Sequence, residues 1–157
     1  MTRQGHACPR MLSYRPPRIA LSLLLVASIF ELALPVLSSP LPGTPLGGGL
    51  LALLGCSLML RAWWLFRTRD TAICPTATTT TLITDDVYRL TRNPMYLGIV
   101  LILLGPAVAV GGLAYYVAAL SFWLIIDFVF CPFEEAKLKR DFPAAFEQYK
   151  KRVRRWL

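Results

Sequence analysis

Two long stretches without a charged residue constrain this chain more than any other feature of its sequence. No charge lies between Glu31 and Arg61, and none lies between Arg92 and Asp127. Each stretch exceeds the roughly 20 apolar residues that cross a bilayer as a helix. Hydrophobic residues make up 55% of the 157 residues, and the mean hydropathy is +0.52, which is too apolar for an ordinary soluble domain. The sequence therefore predicts an all-α integral membrane protein.

The apolar stretches divide into four predicted transmembrane helices. The first begins near Ile19, and the second covers about residues 46–66. The third and fourth share residues 95–131, with the pair Gly111 and Gly112 as the turn between them. We expect one membrane domain over 1–157, made of an N-terminus (1–18), two helices (19–66), and a loop, a helical hairpin and a tail (67–157).

The first helix has the basic start and apolar core that are also typical of a signal peptide. Glu31 interrupts its apolar run, however, and three further spans follow. We therefore expect this helix to be retained in the protein.

The distribution of basic residues predicts the orientation of the chain. The net charge is +8, and the lysines and arginines lie before the first helix, in the middle loop and in the tail, whereas the other two turns carry no charge. Cytoplasmic loops are enriched in lysine and arginine, so the N-terminus, the middle loop and the tail are all predicted to be cytoplasmic. The same flanking pattern fits anionic membrane lipids rather than a nucleic-acid-binding face.

The cysteines and the single histidine predict neither a metal site nor a disulfide framework. Cys8, Cys56, Cys74 and Cys131 form no CxxC pair, and His6 has no cysteine at a zinc-ligand spacing.

The tail "EEAKLKRDFPAAFEQYKKRVRRWL" has the spacing of an amphipathic helix. Its apolar residues recur every three or four positions, and basic residues occupy the other faces. Such a helix is expected at the membrane surface, with Pro143 breaking it into two pieces. The apolar positions are Leu138, Phe142, Phe146, Tyr149, Val153 and Trp156.

Polar and aromatic residues gather where the third helix begins, in "YRLTRNPMYLG" (residues 88–98), and where the fourth ends, at Glu134 and Glu135. Both places lie on the predicted cytoplasmic side, so these groups are expected to converge. Arg92 and Tyr96 alone are equally typical of a membrane anchor. The two acids alone are typical of a first helical turn. Together they suit a ligand with both positive and negative groups.

These motifs, in this order and separated by a membrane hairpin, resemble those of the isoprenylcysteine carboxyl methyltransferase and phospholipid methyltransferase superfamily. The resemblance covers roughly residues 80–153. It implies an enzyme that binds S-adenosylmethionine without a Rossmann domain, and no GxGxxG motif occurs in the chain. The implied cofactor contacts are Thr80, Thr81, Leu82, Ile83, Tyr88, Asn93, Pro94, Met95, Tyr96 and Glu134. The resemblance also implies that Arg92 and Glu135 orient the pocket.

Three positions depart from the family pattern. Asn93 stands where other members have a histidine, and an asparagine cannot act as a base at neutral pH. Phe130 stands where prenylcysteine methyltransferases have an arginine, so a carboxylate acceptor would lose its counter-charge. Pro143 stands at the position of a glycine in the tail.

Two acidic residues inside the apolar stretches need partners. Asp127, Cys131 and Glu134 are spaced to share one face of a regular helix. Asp127 therefore either orients the acceptor, or takes its proton, or pairs with Arg61 on the second helix. Glu31 is expected deep in the membrane, where it is protonated, is paired with Arg61, or has a role in packing or in a substrate cavity.

The predicted function is methyl transfer from S-adenosylmethionine to a lipophilic acceptor that reaches the site from the bilayer. The acceptor classes are an isoprenylcysteine-like carboxylate, a lipid amine and a thiol. A non-enzymatic membrane scaffold or a transporter subunit is the alternative. The small residues of "LGGGLLALLGCS" permit close helix contact, either within the chain or in an oligomer.

Overall fold

The computed structural model describes residues 16–34, 43–69 and 81–157, and every element in these ranges is helical. Six α-helices follow one another, with a short 3-10 helix, Asp86–Arg89, between the second and third. The α-helices are α1 (Pro16–Ala33), α2 (Pro45–Thr68), α3 (Pro94–Val110), α4 (Leu113–Ile125), α5 (Cys131–Asp141) and α6 (Pro143–Arg152).

Three helical segments are long and apolar enough to cross a membrane. They are α1, α2 and the 29-residue segment Leu113–Asp141, in which α4 continues into α5. The fourth predicted span, α3, has 17 residues. At about 1.5 Å per residue it is about 25 Å long, which is shorter than the roughly 30 Å hydrocarbon core of a bilayer. Leucines of α1 and α2 such as Leu32 and Leu53 are exposed, as expected for helices that face lipid.

Glycine residues set the closest helix contact, between the antiparallel helices α2 and α3. A Cβ atom on Gly55 would lie 2.5 Å from the carbonyl oxygen of Gly98, and a Cβ on Gly48 would lie 2.4 Å from that of Gly105. Backbones can approach this closely only where side chains are missing. These glycines of α2 therefore serve a helix contact within the chain, which is one of the two roles that the sequence permits for its small residues.

Helix α3 lies between α2 and α4, and a tight turn at Gly111 and Gly112 joins α3 to α4. Gly111 has a φ of 80°, a conformation that favours glycine. Glu31 Oε1 accepts a hydrogen bond of 2.8 Å from the backbone N–H of Ala114, in the first turn of α4. We call this end of the bundle the hairpin end, and the end where α3 begins the motif end. The prediction that Glu31 pairs with Arg61 is wrong, because Arg61 lies at the motif end and binds Asp86.

One turn of π-helix, Ile126–Phe130, interrupts the segment that α4 and α5 form. A π turn holds one more residue than an α-helical turn, so it shifts the faces of all later residues by one position. This shift corrects the prediction that Asp127, Cys131 and Glu134 share one face. Asp127 is instead bridged by Arg155 to Glu135, whereas Glu134 bonds to Tyr96.

The tail folds back over the motif end instead of remaining one helix. Helix α5 ends at Asp141 and α6 begins at Pro143, so the predicted break at Pro143 is confirmed. Phe146 and Tyr149 of α6 are buried against Ala62 and Leu65 of α2. A second core, between α1, α3 and α4, holds Tyr96 together with eight further buried residues: Ala20, Ile99, Leu103, Ala119, Phe122, Ile126, Phe130 and Cys131.

Candidate functional site

The segment before α3 is fastened to α2 by two ion pairs. Arg61 binds Asp86, and Arg69 binds Asp85. The hydrogen bond from Arg61 holds the pKa of Asp86 below its usual value. Asp86 has a φ of 56°, and its own carboxylate accepts the backbone N–H of Val87 at 2.8 Å. Aspartate tolerates this left-handed conformation because its side chain bonds locally.

The next residues, Thr91 to Asn93, are held by the backbone of the C-terminal segment. Thr91 is fully buried, and its hydroxyl donates to the carbonyl of Arg155 at 2.8 Å. Asn93 Nδ2 donates to the same carbonyl at 3.2 Å, and the Arg92 N–H donates to the carbonyl of Arg154 at 3.0 Å. The residue that replaces the family histidine therefore has a structural partner.

A direct hydrogen bond joins the two halves of the candidate site. The Tyr96 hydroxyl, on the first turn of α3, donates to Glu134 Oε1 at 2.5 Å. Tyr96 is buried, and its ring lies edge-on to Phe130. The expected convergence of the two motifs is therefore confirmed at this pair, which lies 38 residues apart in the sequence.

Tyr88 lies beside this pair and supports it from the loop. Its ring is buried edge-on against Phe66, and its carbonyl accepts the hydroxyl of Tyr149 at 2.7 Å. Burial, and then the charge of Glu134, raise the pKa of Tyr88. Burial also raises the pKa of Tyr149. Both phenols are therefore neutral at physiological pH and act only through hydrogen bonds and their ring faces.

Four charged side chains form a second cluster next to the first. Arg155 donates to both carboxylate oxygens of Glu135 at 2.9 Å and to Asp127 Oδ1 at 3.0 Å. Trp156 Nε1 donates to the same Asp127 oxygen at 2.9 Å. Of the alternatives for Asp127, pairing with Arg61 is therefore wrong, because Asp127 pairs with Arg155. The hydrogen bonds that Arg155 donates, first to Glu135 and then to Asp127, raise the pKa of Arg155, so its positive charge is permanent.

Arg92 completes this cluster but is only partly satisfied. Its Nη2 lies 3.1 Å from Glu135 Oε1, and 10% of its side chain is exposed. Its Nε and Nη1 atoms are buried and have no hydrogen-bond partner in the structure.

The other residues predicted to contact the cofactor lie in different surroundings. Pro94 is fully buried at the start of α3, and Ile83 is buried beside Leu82 and Met95 in the core under α6. Thr81 is exposed. Thr80 lies outside the described residues. Within the described ranges, no group of three acids, cysteines or histidines is arranged to hold a metal ion.

Sequence reasoning missed the roles of Tyr149, Arg155 and Trp156. Tyr149 and Trp156 belonged to the predicted apolar face of the tail, and Arg155 to its basic flank. The structure uses Tyr149 and Arg155 as partners of motif residues and Trp156 as a partner of Asp127, through contacts that span between 20 and 61 residues of sequence. The one available signal was the recurrence of aromatic residues at helical spacing.

An apolar groove of about 350 Å³ opens between α3 and α4. Its residue nearest the charged cluster is Trp123, whose ring contacts Trp156. The lining residues are Val100, Leu104, Tyr116, Ala119, Leu120 and Trp123.

Comparison with known proteins supplies the family. Residues 45–145 match the model of the phospholipid methyltransferase family, which belongs to the superfamily whose motifs the sequence resembles. No curated protein and no solved structure matches the chain. The match includes both motifs and ends before Arg155 and Trp156. The family and the three long apolar helices together identify an integral membrane protein. This chain belongs to the phospholipid methyltransferase family.

Proposed function

We propose that the protein transfers a methyl group from S-adenosylmethionine to a lipophilic acceptor. One observation carries this proposal: the bond between Tyr96 and Glu134 joins the two family motifs at the motif end of the bundle. A partly buried carboxylate that accepts a hydrogen bond from a buried tyrosine suits a ligand that carries positive charge. The family supports the reaction class, because its members are methyltransferases.

The chemistry of the residues fits this cofactor. When bound, the cofactor supplies a methyl group on a sulfonium, which the acceptor's lone pair takes as the carbon–sulfur bond breaks. Glu134 is placed to accept hydrogen bonds from an amine or a ribose hydroxyl. Tyr96 holds the Glu134 carboxylate in position, and the ring of Tyr88 offers a face to a cation.

Asp127 and Glu135 act as positioning residues in this proposal. Both bind Arg155, whose backbone carbonyl in turn holds Thr91 and Asn93. They thereby support the loop that precedes α3, and they do not themselves take a proton from the acceptor. Asn93 serves as a hydrogen-bond donor, in agreement with its inability to act as a base.

The apolar groove supports a lipophilic acceptor. Its volume of about 350 Å³ lies in the range of small-molecule sites, and four of its six lining residues carry no polar side-chain group. An acyl or prenyl chain would lie between α3 and α4, with its polar end towards Trp123 and the charged cluster. The acceptor atom belongs to an amine, a thiol or a carboxylate.

We also propose that four helices cross the membrane, with α3 as the short fourth span. Both termini then face the cytoplasm, where the cofactor is made available. The amphipathic tail lies at that surface, with its basic residues towards the lipid headgroups.

Calorimetric titration of the detergent-purified protein with S-adenosylmethionine tests the proposal. We expect saturable binding, and we expect Glu134→Gln to weaken it by about 10- to 100-fold, because it removes a charge-assisted hydrogen bond. Glu147→Gln is the matched control, since Glu147 pairs with Lys139 on the outside of the tail.

Saturable binding that only the Glu134 variant weakens would support the cofactor pocket. Folded wild-type protein that does not bind at millimolar cofactor would contradict it, and would favour the scaffold or transporter alternative.

A further inference from the structure

Arg92 has more hydrogen-bonding capacity than the protein uses. Its guanidinium carries five N–H donors: one on Nε and two on each Nη. Only Nη2 is engaged, at 3.1 Å from Glu135. Nε and Nη1 are buried without a partner, although the side chain is nine-tenths buried.

Arg155 shows what a satisfied arginine looks like in the same cluster. Its Nε and Nη2 bind the two oxygens of Glu135, and its Nη1 binds Asp127. Arg92 shares one of the Glu135 oxygens with it and has no carboxylate of its own. The two acids of the cluster are therefore used mainly by Arg155.

Burying unpaired donors of a charged group is costly, typically more so than burying those of a neutral group. Neither of the other nearby acids bonds to these donors, since Glu134 is bonded to Tyr96 and Asp127 is bonded to Arg155 and Trp156. The unused donors of Arg92 suit a negatively charged group that a ligand would bring.

We propose that Arg92 binds an oxyanion of a ligand through the N–H groups of Nε and Nη1. This inference rests on the proposed function for the identity of the ligand. Two candidate sources of the oxyanion are the carboxylate of S-adenosylmethionine and the phosphate of a phospholipid acceptor. Either oxyanion would lie beside Arg92 while a positive charge, of the same ligand or of the other substrate, lies at Glu134.

The first experimental arm tests the cofactor as the source. S-Adenosylmethionine and its decarboxylated analogue, which keeps the sulfonium and the amine, are titrated separately into purified protein. If the cofactor carboxylate is the oxyanion, wild type prefers S-adenosylmethionine by about 10- to 100-fold, and Arg92→Gln abolishes that preference.

The second arm tests the lipid as the source. The melting temperature of the detergent-solubilised protein is measured with dioleoyl phosphatidylethanolamine and with dioleoylglycerol, which has the same chains but no phosphate. If the phosphate is the oxyanion, only the phospholipid raises the melting temperature of wild type, and Arg92→Gln removes the increase.

Two further variants keep both arms interpretable. Arg92→Lys keeps a cation that can pair with Glu135 but lacks the Nε and Nη1 donors, so it should fold and still lose most of the effect. Arg140→Gln makes the same charge change at an exposed arginine that pairs with its neighbour Asp141, and it should behave as wild type.

The outcomes separate this inference from the proposed function. Wild-type preferences that persist in folded Arg92→Lys and Arg92→Gln proteins, in both arms, would overturn the oxyanion site. Failure of wild type to bind either cofactor form would overturn the proposed function, and the lipid arm would still test Arg92.

Discussion

At the scale of single residues, Gly55 and Gly98 show how little space the helix contact leaves. A Cβ on either one would lie 2.5 or 2.6 Å from the carbonyl oxygen of the other. Gly49, six positions earlier on the same helix, has no atom within 4 Å of an added Cβ. Chemically identical substitutions on α2 should therefore have opposite effects.

We predict that Gly55→Ala destabilises the protein and that Gly49→Ala does not. The methyl group at Gly55 forces α2 and α3 apart, at a cost of about 1–3 kcal/mol. At Gly49 the only effect is the better helix propensity of alanine, worth about 1 kcal/mol in favour of folding. Thermal unfolding in detergent measures both, and equal melting temperatures for the two variants would contradict the contact.

Other single residues explain why some of the site was predictable and some was not. Tyr96 and Glu134 were expected to meet because each stands beside the end of an apolar run, and such ends meet at a membrane surface. Arg155 carried no comparable signal. A basic residue in a basic tail is typical of lipid contact, and only the folding of α6 over α2 places it between Asp127 and Glu135.

At the scale of elements, the helix turns and breaks followed local sequence, and the π turn did not. Gly111 and Pro143 act through their own backbone, so the hairpin and the break in the tail were predictable. The residues "IDFVF" that form the π turn have no such property. Their conformation is selected by the partners on each side, which lie far away in the sequence.

We predict that inserting an alanine after Phe128 disrupts the charged cluster. Phe128 is 72% exposed, so a residue added beside it displaces little packing. The π turn already absorbs one extra residue, so a second one rotates α5 by about 100° relative to α4, which separates Glu135 from Arg155. Affinity for S-adenosylmethionine should fall by about tenfold or more, as expected for the loss of a partly buried ion pair.

The substitution Phe128→Ala is the control for this insertion, because it changes the chain at the same place and keeps the register. Its cofactor affinity should stay within about twofold of wild type, a difference well below 1 kcal/mol. A folded insertion variant with wild-type affinity would show that the register of α5 does not matter for the site.

At the scale of the whole molecule, two parts meet at the motif end. The helices α1 to α4 form the apolar bundle, and α5, α6 and the residues after them cover its motif end. The composition and the distribution of charged residues predicted this division, because a lipid-facing helix is apolar throughout, whereas an amphipathic tail carries charged residues in every turn. The sequence did not predict that the covering part supplies the partners of the site, because those contacts depend on the tertiary fold.

We predict that the protein is most stable in thin bilayers. The apolar helix α3 is about 25 Å long and packs closely on the longer α2. In vesicles of phosphatidylcholine with monounsaturated chains, the melting temperature should be higher with 14-carbon than with 22-carbon chains. The opposite order, or no difference, would show that α3 does not set the hydrophobic thickness of the protein.

In the proposed topology, the shortness of α3 also bears on how far an acceptor must travel. A span that ends several ångströms before the hydrocarbon boundary would leave Tyr96 and Glu134 in a dimple of the membrane surface, below the average level of the headgroups. An acceptor can then present its reactive atom while its chains remain in the hydrocarbon, so it need not be extracted. Membrane thickness itself would thus act as a filter on catalysis, since each added ångström of bilayer raises the lipid surface relative to the dimple.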